Sequence, residues 1–217
     1  MYLIEVISDK VGNKITESLK LDEDSKEVII YGTFVLIHTL SCILSIIIFG
    51  AIFNVFLESI IICICVSLLR KYSGGVHADS PGRCLVIGTV IIVGLAIIIK
   101  KIFCNFSYVF ICTASLISLI LCFYLVNKYA PVDSIQKPIE DVHQKEKFKR
   151  YSKVIISVST LIVLILLGIY YKSKNNFILN FINCIYVGLL WQSFTLTSKG
   201  HIFVKKFDKL LEKVIKI

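Results

Sequence analysis

Long stretches without a charged residue alternate with short charged segments along the whole chain. The stretches are rich in Ile, Leu, Val and Phe, contain no proline, and cover residues 28–57, 59–69, 84–99, 102–127, 154–171 and 175–198. Because a helix needs about 20 mostly apolar residues to cross a bilayer, stretches of this length are typical of membrane-spanning helices. The pattern therefore predicts an all-α, polytopic helical membrane protein with about six membrane segments.

Two places in this pattern leave the number of full crossings open. Residues 28–69 are interrupted only by Glu58, which suits two spans joined near Gly50–Asn54. Residues 84–99 form a short stretch, since sixteen helical residues rise only about 24 Å. This segment either spans a thinned bilayer or enters and leaves as a re-entrant element buried against protein. Four spans plus two re-entrant hairpins are therefore an alternative to six spans.

Positive charge is unevenly distributed between the two sides of the predicted bundle. Twenty of the 24 lysines and arginines fall in the N-terminal segment, residues 70–83, residues 128–153 and the C-terminal segment. Since positive residues favour the cytoplasmic side, this predicts an even number of crossings with both termini in the cytoplasm. The formal net charge of +9 is explained by topology and membrane contact, so we do not interpret it as nucleic-acid binding.

Both ends of the chain have the pattern of amphipathic surface helices. In residues 1–27 apolar positions recur every three or four residues, and no basic segment precedes a long apolar core, which argues against a cleaved signal peptide. In residues 199–217 an apolar face is surrounded by lysines. Such a basic helix is expected to lie on the anionic lipids of the inner leaflet.

One of the eight cysteines stands apart from the others. Seven lie within apolar stretches, where a thiol behaves as a small buried hydrophobe, and they are Cys42, Cys63, Cys65, Cys104, Cys112, Cys122 and Cys184. Cys84 follows a polar loop in which Ser80 suits a helix N-cap and Pro81 the first helical turn. The helix N-terminus and Arg83, together with Arg70 or Lys71, favour the thiolate form of Cys84.

His77 lies in the same loop and can accept the thiol proton. In one continuous helix seven residues would separate it from Cys84 by about 10.5 Å. Pro81 opposes such a helix, and Gly74 and Gly75 let the loop fold back, so a cysteine–histidine dyad is feasible. The alternative is a loop histidine beside an interfacial cysteine. A zinc site is disfavoured because no second pair of ligands accompanies them, and we predict no metal or cofactor.

These residues resemble the accessory gene regulator B (AgrB) family of bacterial quorum sensing. The resemblance rests on the run Gly74-Gly75-x-His77-Ala78-x5-Cys84 preceded by Arg70, and on Pro131-Val132-Asp133-x4-Pro138. It implies a cysteine endopeptidase of the bacterial cell membrane that cuts an AgrD-like propeptide and closes it into a cyclic autoinducing peptide. By resemblance, Cys84 is the nucleophile and His77 its general base.

The resemblance also implies one integral membrane peptidase domain over residues 1–217, with a catalytic loop over 70–84 on the cytoplasmic face. Further candidate substrate contacts are Arg70, Lys71, Gly74, Gly75 and Glu58. A helix contact is the preferred interpretation of His38, and an N-cap role that of Asp79.

Two other classes of function are weighed against the peptidase. An export factor that moves a peptide without cutting it should show broken helices or a charged midplane, and only Glu58 fits. A non-catalytic scaffold leaves the Gly-Gly-x-His loop unexplained. The sequence leaves the oligomeric state open, with a homodimer among the alternatives, and it identifies neither the propeptide nor the type of ring.

Overall fold

The structure is a computed structural model that describes residues 3–103, 106–133 and 141–214. This part of the chain folds into eight α-helices. In chain order they are α1 (Leu3–Leu19), α2 (Glu23–Ile52), α3 (Phe56–Ser73), α4 (Pro81–Lys101), α5 (Tyr108–Tyr129), α6 (Val142–Ser173), α7 (Asn176–Phe194) and α8 (Ser198–Val214). The protein is an all-α, multi-pass membrane protein, as the sequence predicts.

Five of the described helices, α2 and α4 to α7, are long and apolar enough to cross a membrane. The sixth predicted segment is α3, which has only 18 residues and includes the charged residues Glu58, Arg70 and Lys71. These charges lie near its two ends, and the apolar middle of α3 packs inside the bundle against α7.

Helix α4 removes the uncertainty about the short segment 84–99. It runs for 21 residues without a break, because Ser80 caps it before Pro81 and it continues to Lys101. Such a helix rises about 31 Å, which matches the hydrocarbon thickness of a bilayer. The re-entrant alternative for this segment is therefore wrong. The sequence estimate was short because it counted only uncharged residues.

Helix ends elsewhere also extend into charged sequence. Asp22 accepts a hydrogen bond from the Ser25 amide at 3.0 Å and starts α2 five residues before the uncharged stretch. Helix α6 begins at Val142, so residues 142–153 of the predicted cytoplasmic loop are helical. The joint between α2 and α3 lies at residues 53–55, as predicted, where Val55 N donates to Gly50 O at 2.7 Å.

Two apolar clusters hold the bundle together, and α3 and α7 contribute to both. These two helices approach closely at Gly188, where an added Cβ would lie 3.2 Å from Cys65 Cβ. The seven described cysteines are all free thiols, and Cys104 lies outside the described residues. The close crossing of α3 and α7 fixes the C-terminal ends of both helices relative to each other.

Charged and polar groups gather at the two ends of the bundle. At one end the loop of residues 74–80 contacts Val132 and Asp208, which lie after α5 and on α8. At the other end Lys100 Nζ lies 3.8 Å from Glu58 Oε1. Three of the four segments predicted to share the cytoplasmic face thus meet at the same end of the molecule.

Candidate active site

The loop of residues 74–80 is held at its beginning by the segment that follows α5. Val132 N donates to Ser73 O at 2.9 Å, and Gly74 pairs with Val132 in a parallel bridge. Gly74 has a φ of 67°, in the region that favours glycine, and an added Cβ would collide with Val132 O. A side chain is excluded at this position on both grounds.

Gln192, near the end of α7, fixes the same part of the loop. Its Nε2 donates to Gly74 O at 2.8 Å and to Ser73 Oγ at 3.2 Å. Gly75 faces Thr195, whose Oγ1 would lie 3.0 Å from an added Cβ. The two glycines therefore allow close packing on α7 and bring the loop back over the bundle.

Beyond the loop, the start of α4 sets the position of Cys84. Ser80 Oγ accepts a hydrogen bond from Arg83 N at 3.4 Å, and Cys84 N donates to Ser80 O at 2.9 Å. Cys84 lies in the first turn and is half-buried. The predicted cap and the position of the cysteine are both confirmed.

The folded-back loop brings His77 next to Cys84. His77 Nδ1 lies 4.0 Å from Cys84 Sγ, at the outer limit of a hydrogen bond to sulfur. Contacts between catalytic groups are often long before substrate binds and shorten in the complex. The arrangement permits proton transfer from the thiol to the imidazole.

The surroundings of His77 favour the neutral imidazole. The side chain remains partly exposed, yet neighbouring protein atoms displace water from the ring. This loss of hydration, followed by the positive charges of Arg70 and His38, lowers the pKa of His77 to about 3. At neutral pH the ring is therefore uncharged.

A cleft opens beside the sulfur of Cys84. It has a volume of about 60 Å³ and lies between the loop, α4, the end of α7 and α8. Arg70 lines the cleft, and its Nη2 donates a hydrogen bond to Val76 O. Lys71 is exposed instead, and its Nζ lies 5.3 Å from the centre of the Tyr72 ring. Its other walls are mainly apolar, with Ile87, Ile91, Trp191 and Val204 among them. The cleft therefore forms a small, mainly apolar recess beside the thiol.

Arg83 is engaged in an ion pair. Its Nε lies 2.5 Å from Asp208 Oδ1 on α8, and the two side chains are almost fully buried. The backbone amide of Asp79 donates to Asp208 Oδ2 at 3.1 Å, and Ser80 provides the cap. The charge of Arg83, expected to favour the thiolate, is therefore paired with Asp208. The N-cap role expected for Asp79 is wrong, because Ser80 caps α4.

Glu58 is a candidate substrate contact that lies far from this site. It lies in the first turn of α3, about 18 Å along the helix from Arg70. There it is paired with Lys100, whose Nζ also donates to Asn54 O. The length of α3 therefore separates Glu58 from the loop that carries His77.

Helix α2 contributes a second cysteine–histidine contact near the site. His38 Nε2 lies 3.7 Å from Cys42 Sγ one turn later, and its ring stacks on Phe34. This agrees with the predicted helix contact. In the described part of the chain, no group of three or more His, Cys, Asp or Glu side chains is arranged to hold a metal ion.

Comparisons with known proteins cover most of the chain. A family model described as Accessory gene regulator B matches residues 8–196. The chain belongs to the AgrB family. AgrB-like protein 2 of Clostridium perfringens (strain 13 / Type A) is 33% identical over 214 residues, which are 98% of this chain and 100% of the relative. Accessory gene regulator protein B of Staphylococcus aureus is 25% identical over 136 residues, 63% of each chain.

No solved structure shows significant similarity to this chain. Membership of the AgrB family assigns the chain to the accessory gene regulator proteins of quorum sensing. Of the residues that carry the resemblance, Pro138 lies outside the described part of the chain, whereas Pro131 to Asp133 lie beside the loop of residues 74–80. The matched range ends before α8, so Asp208 lies beyond it.

Proposed function

We propose that this AgrB protein is a cysteine endopeptidase that cuts an AgrD-like propeptide and closes the product into a ring. The observation that carries the proposal is the 4.0 Å approach of Cys84 Sγ to His77 Nδ1 beside an open cleft. A thiol next to a neutral imidazole, in the first turn of a helix, is a typical arrangement for nucleophilic catalysis.

The first step cuts the peptide. His77 takes the thiol proton, and Cys84 Sγ attacks the carbonyl carbon of a peptide bond near the C-terminal end of the propeptide. The carbon–nitrogen bond then breaks, and His77 returns the proton to the leaving amine. The C-terminal fragment departs, and the rest of the propeptide stays bound to Cys84 as a thioester.

The second step forms the ring. A thiol or hydroxyl group of the bound propeptide attacks the thioester carbonyl, and Cys84 leaves and regains a proton. Exchange between thioesters is nearly balanced, so the enzyme intermediate preserves the energy that a thiolactone needs. Holding both reacting ends in one cleft provides the high effective concentration that ring closure requires, and a mainly apolar wall limits attack by water.

Substrate contacts are assigned from charge and position. Arg70 lines the cleft beside Cys84 and suits a carboxylate or peptide carbonyl of the propeptide. Gly74 and Gly75 hold the loop against Val132 and the end of α7, and Lys71 is exposed. A second basic group at the start of α6, with Lys147 and Arg150 exposed, suits an acidic part of the propeptide farther from the cut.

We assign the end of the bundle with the catalytic pair to the cytoplasmic face of the cell membrane. Twenty of the 24 basic residues fall in the segments expected on that side, and positive residues favour the cytoplasm. Both termini then lie in the cytoplasm. In this orientation a propeptide with an amphipathic leader reaches the cleft along the inner leaflet.

Transport without cutting receives no specific support. Among the described residues, α2 to α7 are continuous helices, whereas transporter sites are typically built from interrupted ones. Glu58 lies at the end of α3 and is paired with Lys100. The peptidase therefore remains the function that the geometry favours.

The proposal is tested with membranes that contain the protein and a tagged AgrD-like propeptide. Cys84→Ser and His77→Ala are each expected to reduce cleavage by at least about 1,000-fold, because either change removes a reacting group. Cys42→Ser is the matched control and is expected to keep cleavage. Mass spectrometry measures the fragments and the ring. Full cleavage by inserted Cys84→Ser protein would contradict the proposal.

A further inference from the structure

We propose that Asp208 is a positioning residue of the active site, and that its carboxylate holds the segment between His77 and Cys84 in its folded-back form. The inference deepens the proposed function and rests on it, because the distance between the His77 and Cys84 side chains matters chemically only if the two react together. Asp208 lies on α8, outside the residues that match the family model.

The contacts of Asp208 divide between two places in the segment. One oxygen accepts from the backbone amide of Asp79 at 3.1 Å, two residues after His77. The other accepts from Arg83 Nε at 2.5 Å, one residue before Cys84. A single carboxylate thus connects the loop to the first turn of α4 across the Ser80 cap. Moving it would release both flanks of the segment.

Burial makes these contacts strong. Asp208 is 3% exposed and Arg83 is 8% exposed, so little water competes for them. Burial by itself raises the pKa of Asp208, but the hydrogen bonds from Arg83 and from the Asp79 amide, with the charge of Arg83, outweigh it and lower the pKa below its usual value. Hydrogen bonds to an ionised carboxylate are roughly twice as strong as neutral ones.

Helix α8 provides a firm base for this carboxylate. Val204, one turn before Asp208, is buried and lines the cleft next to Cys84. Phe203 packs against Trp191 of α7, with ring centres 6.0 Å apart. The bonds of Asp208 run to Arg83 and to backbone rather than to His77 or Cys84, so it acts through the segment and is not itself a catalytic residue.

The test compares purified variants in lipid nanodiscs. Asp208→Asn removes the charge, and Glu212→Gln is the matched control, since Glu212 is the other acidic residue of α8 and is exposed. Two readouts are taken: cleavage of the tagged propeptide, and the rate at which iodoacetamide alkylates Cys84 as a function of pH, measured by mass spectrometry of the peptide that contains Cys84.

We expect Asp208→Asn to reduce cleavage by about 10- to 100-fold, since a displacement of about 1 Å in a reacting group costs this much. Its alkylation profile is expected to move towards that of His77→Ala, whereas Glu212→Gln retains the wild-type profile. A loss of stability alone would not move this profile in folded protein. An unchanged profile and unchanged cleavage in Asp208→Asn would overturn the inference.

Two further variants keep the result decisive. If Asp208→Asn does not fold, Asp208→Glu retains the charge on a longer side chain and is expected to give intermediate cleavage and an intermediate profile; wild-type values would overturn the inference. In a His77→Ala background, adding Asp208→Asn should change alkylation by less than about twofold, because the pair is already lost. A further large drop would instead indicate a general structural role.

Failure of the proposed function has a different signature. If His77→Ala leaves both cleavage and the alkylation profile of Cys84 unchanged, then the cysteine–histidine reaction itself is wrong. If His77→Ala changes both and Asp208→Asn changes neither, only the role of Asp208 is wrong.

Discussion

At the scale of single residues, the neighbourhood of His77 and Cys84 depends on residues that take no part in the proposed reaction. Gly74 and Gly75 allow the loop to pack against Val132 and Thr195, where a Cβ would collide with Val132 O and crowd Thr195 Oγ1. Gln192 then holds the loop through two hydrogen bonds. The chemistry of the pair therefore depends on close packing several residues away.

The lowered pKa of His77 makes stability depend on pH. The ordinary pKa of histidine is 6.5 and that of His77 is about 3, so the unfolded chain binds a proton in this interval and the folded protein does not. The free energy of unfolding is therefore unaffected by this group above pH 6.5, and it decreases as the pH falls from 6.5 towards 3. We expect the thermal midpoint in detergent to fall between pH 7 and pH 5, and to fall less in His77→Gln.

His143→Gln is the control for this measurement, because His143 is exposed at the start of α6. It should retain the slope of the wild type. The pKa of Asp208 lies below 3.8, so protonation of Asp208 destabilises the protein only at a pH below the measured interval. An identical slope in His77→Gln and wild type would show that His77 keeps its ordinary pKa.

At the scale of elements, α8 has two faces with separate roles. Its buried face carries Gly200, Val204 and Asp208 and contacts the catalytic end of the bundle. Lysines cover much of the remainder, and Lys205, Lys206 and Lys209 are exposed. Exposed apolar side chains such as Phe203 and Leu210 accompany them. A helix of this composition suits the surface of an anionic leaflet.

We expect anionic lipid to protect the backbone of α8. Nanodiscs with phosphatidylglycerol should slow amide hydrogen exchange in α8 relative to nanodiscs with phosphatidylcholine alone, because each lysine near the surface gains about 1 kcal/mol. Replacing Lys205, Lys206 and Lys209 together by Gln should remove this difference. Lys172→Gln, at the opposite end of the bundle, should preserve it. Equal exchange of the wild-type helix in both lipids would contradict membrane contact.

At the scale of the whole molecule, the charged groups form two separate ends. At one end, His77 and Cys84 meet helix α8 and the segment that follows α5. At the other end, Glu58 meets Lys100. About 18 Å of helix lies between Glu58 and Arg70. The proposed peptidase site therefore occupies only one end of the bundle.

This separation predicts the behaviour of Glu58→Gln. Cleavage and alkylation of Cys84 should both remain within about threefold of the wild type, because the substituted group lies far from the reacting atoms. The thermal midpoint should fall slightly, since partly exposed ion pairs contribute about 0–1 kcal/mol. Cys84→Ser in the same preparation gives the level of lost activity. A folded Glu58→Gln protein with abolished cleavage would restore Glu58 as a substrate contact.

Much of the architecture could be predicted from the sequence alone. Uncharged stretches located α2 to α7, and the terminal patterns located α1 and α8. Burial in lipid or at its surface selects residue types that can be recognised position by position in the sequence. Ser80 and Pro81 predicted the start of α4 for the same reason: capping is local. Charged residues near the helix ends concealed the full length of α4.

The environment of the catalytic pair was decided by tertiary structure. The loop had to fold back for His77 to reach Cys84, but its supports, Val132, Gln192 and Asp208, are distant in sequence. Asp208 is recognisable in the sequence only as an acidic residue away from the lysine face of a basic helix. Its pairing with Arg83 is not, because Arg83 is 125 residues away. Composition and local spacing determine which groups must leave water, whereas contacts between distant residues depend on how the helices pack.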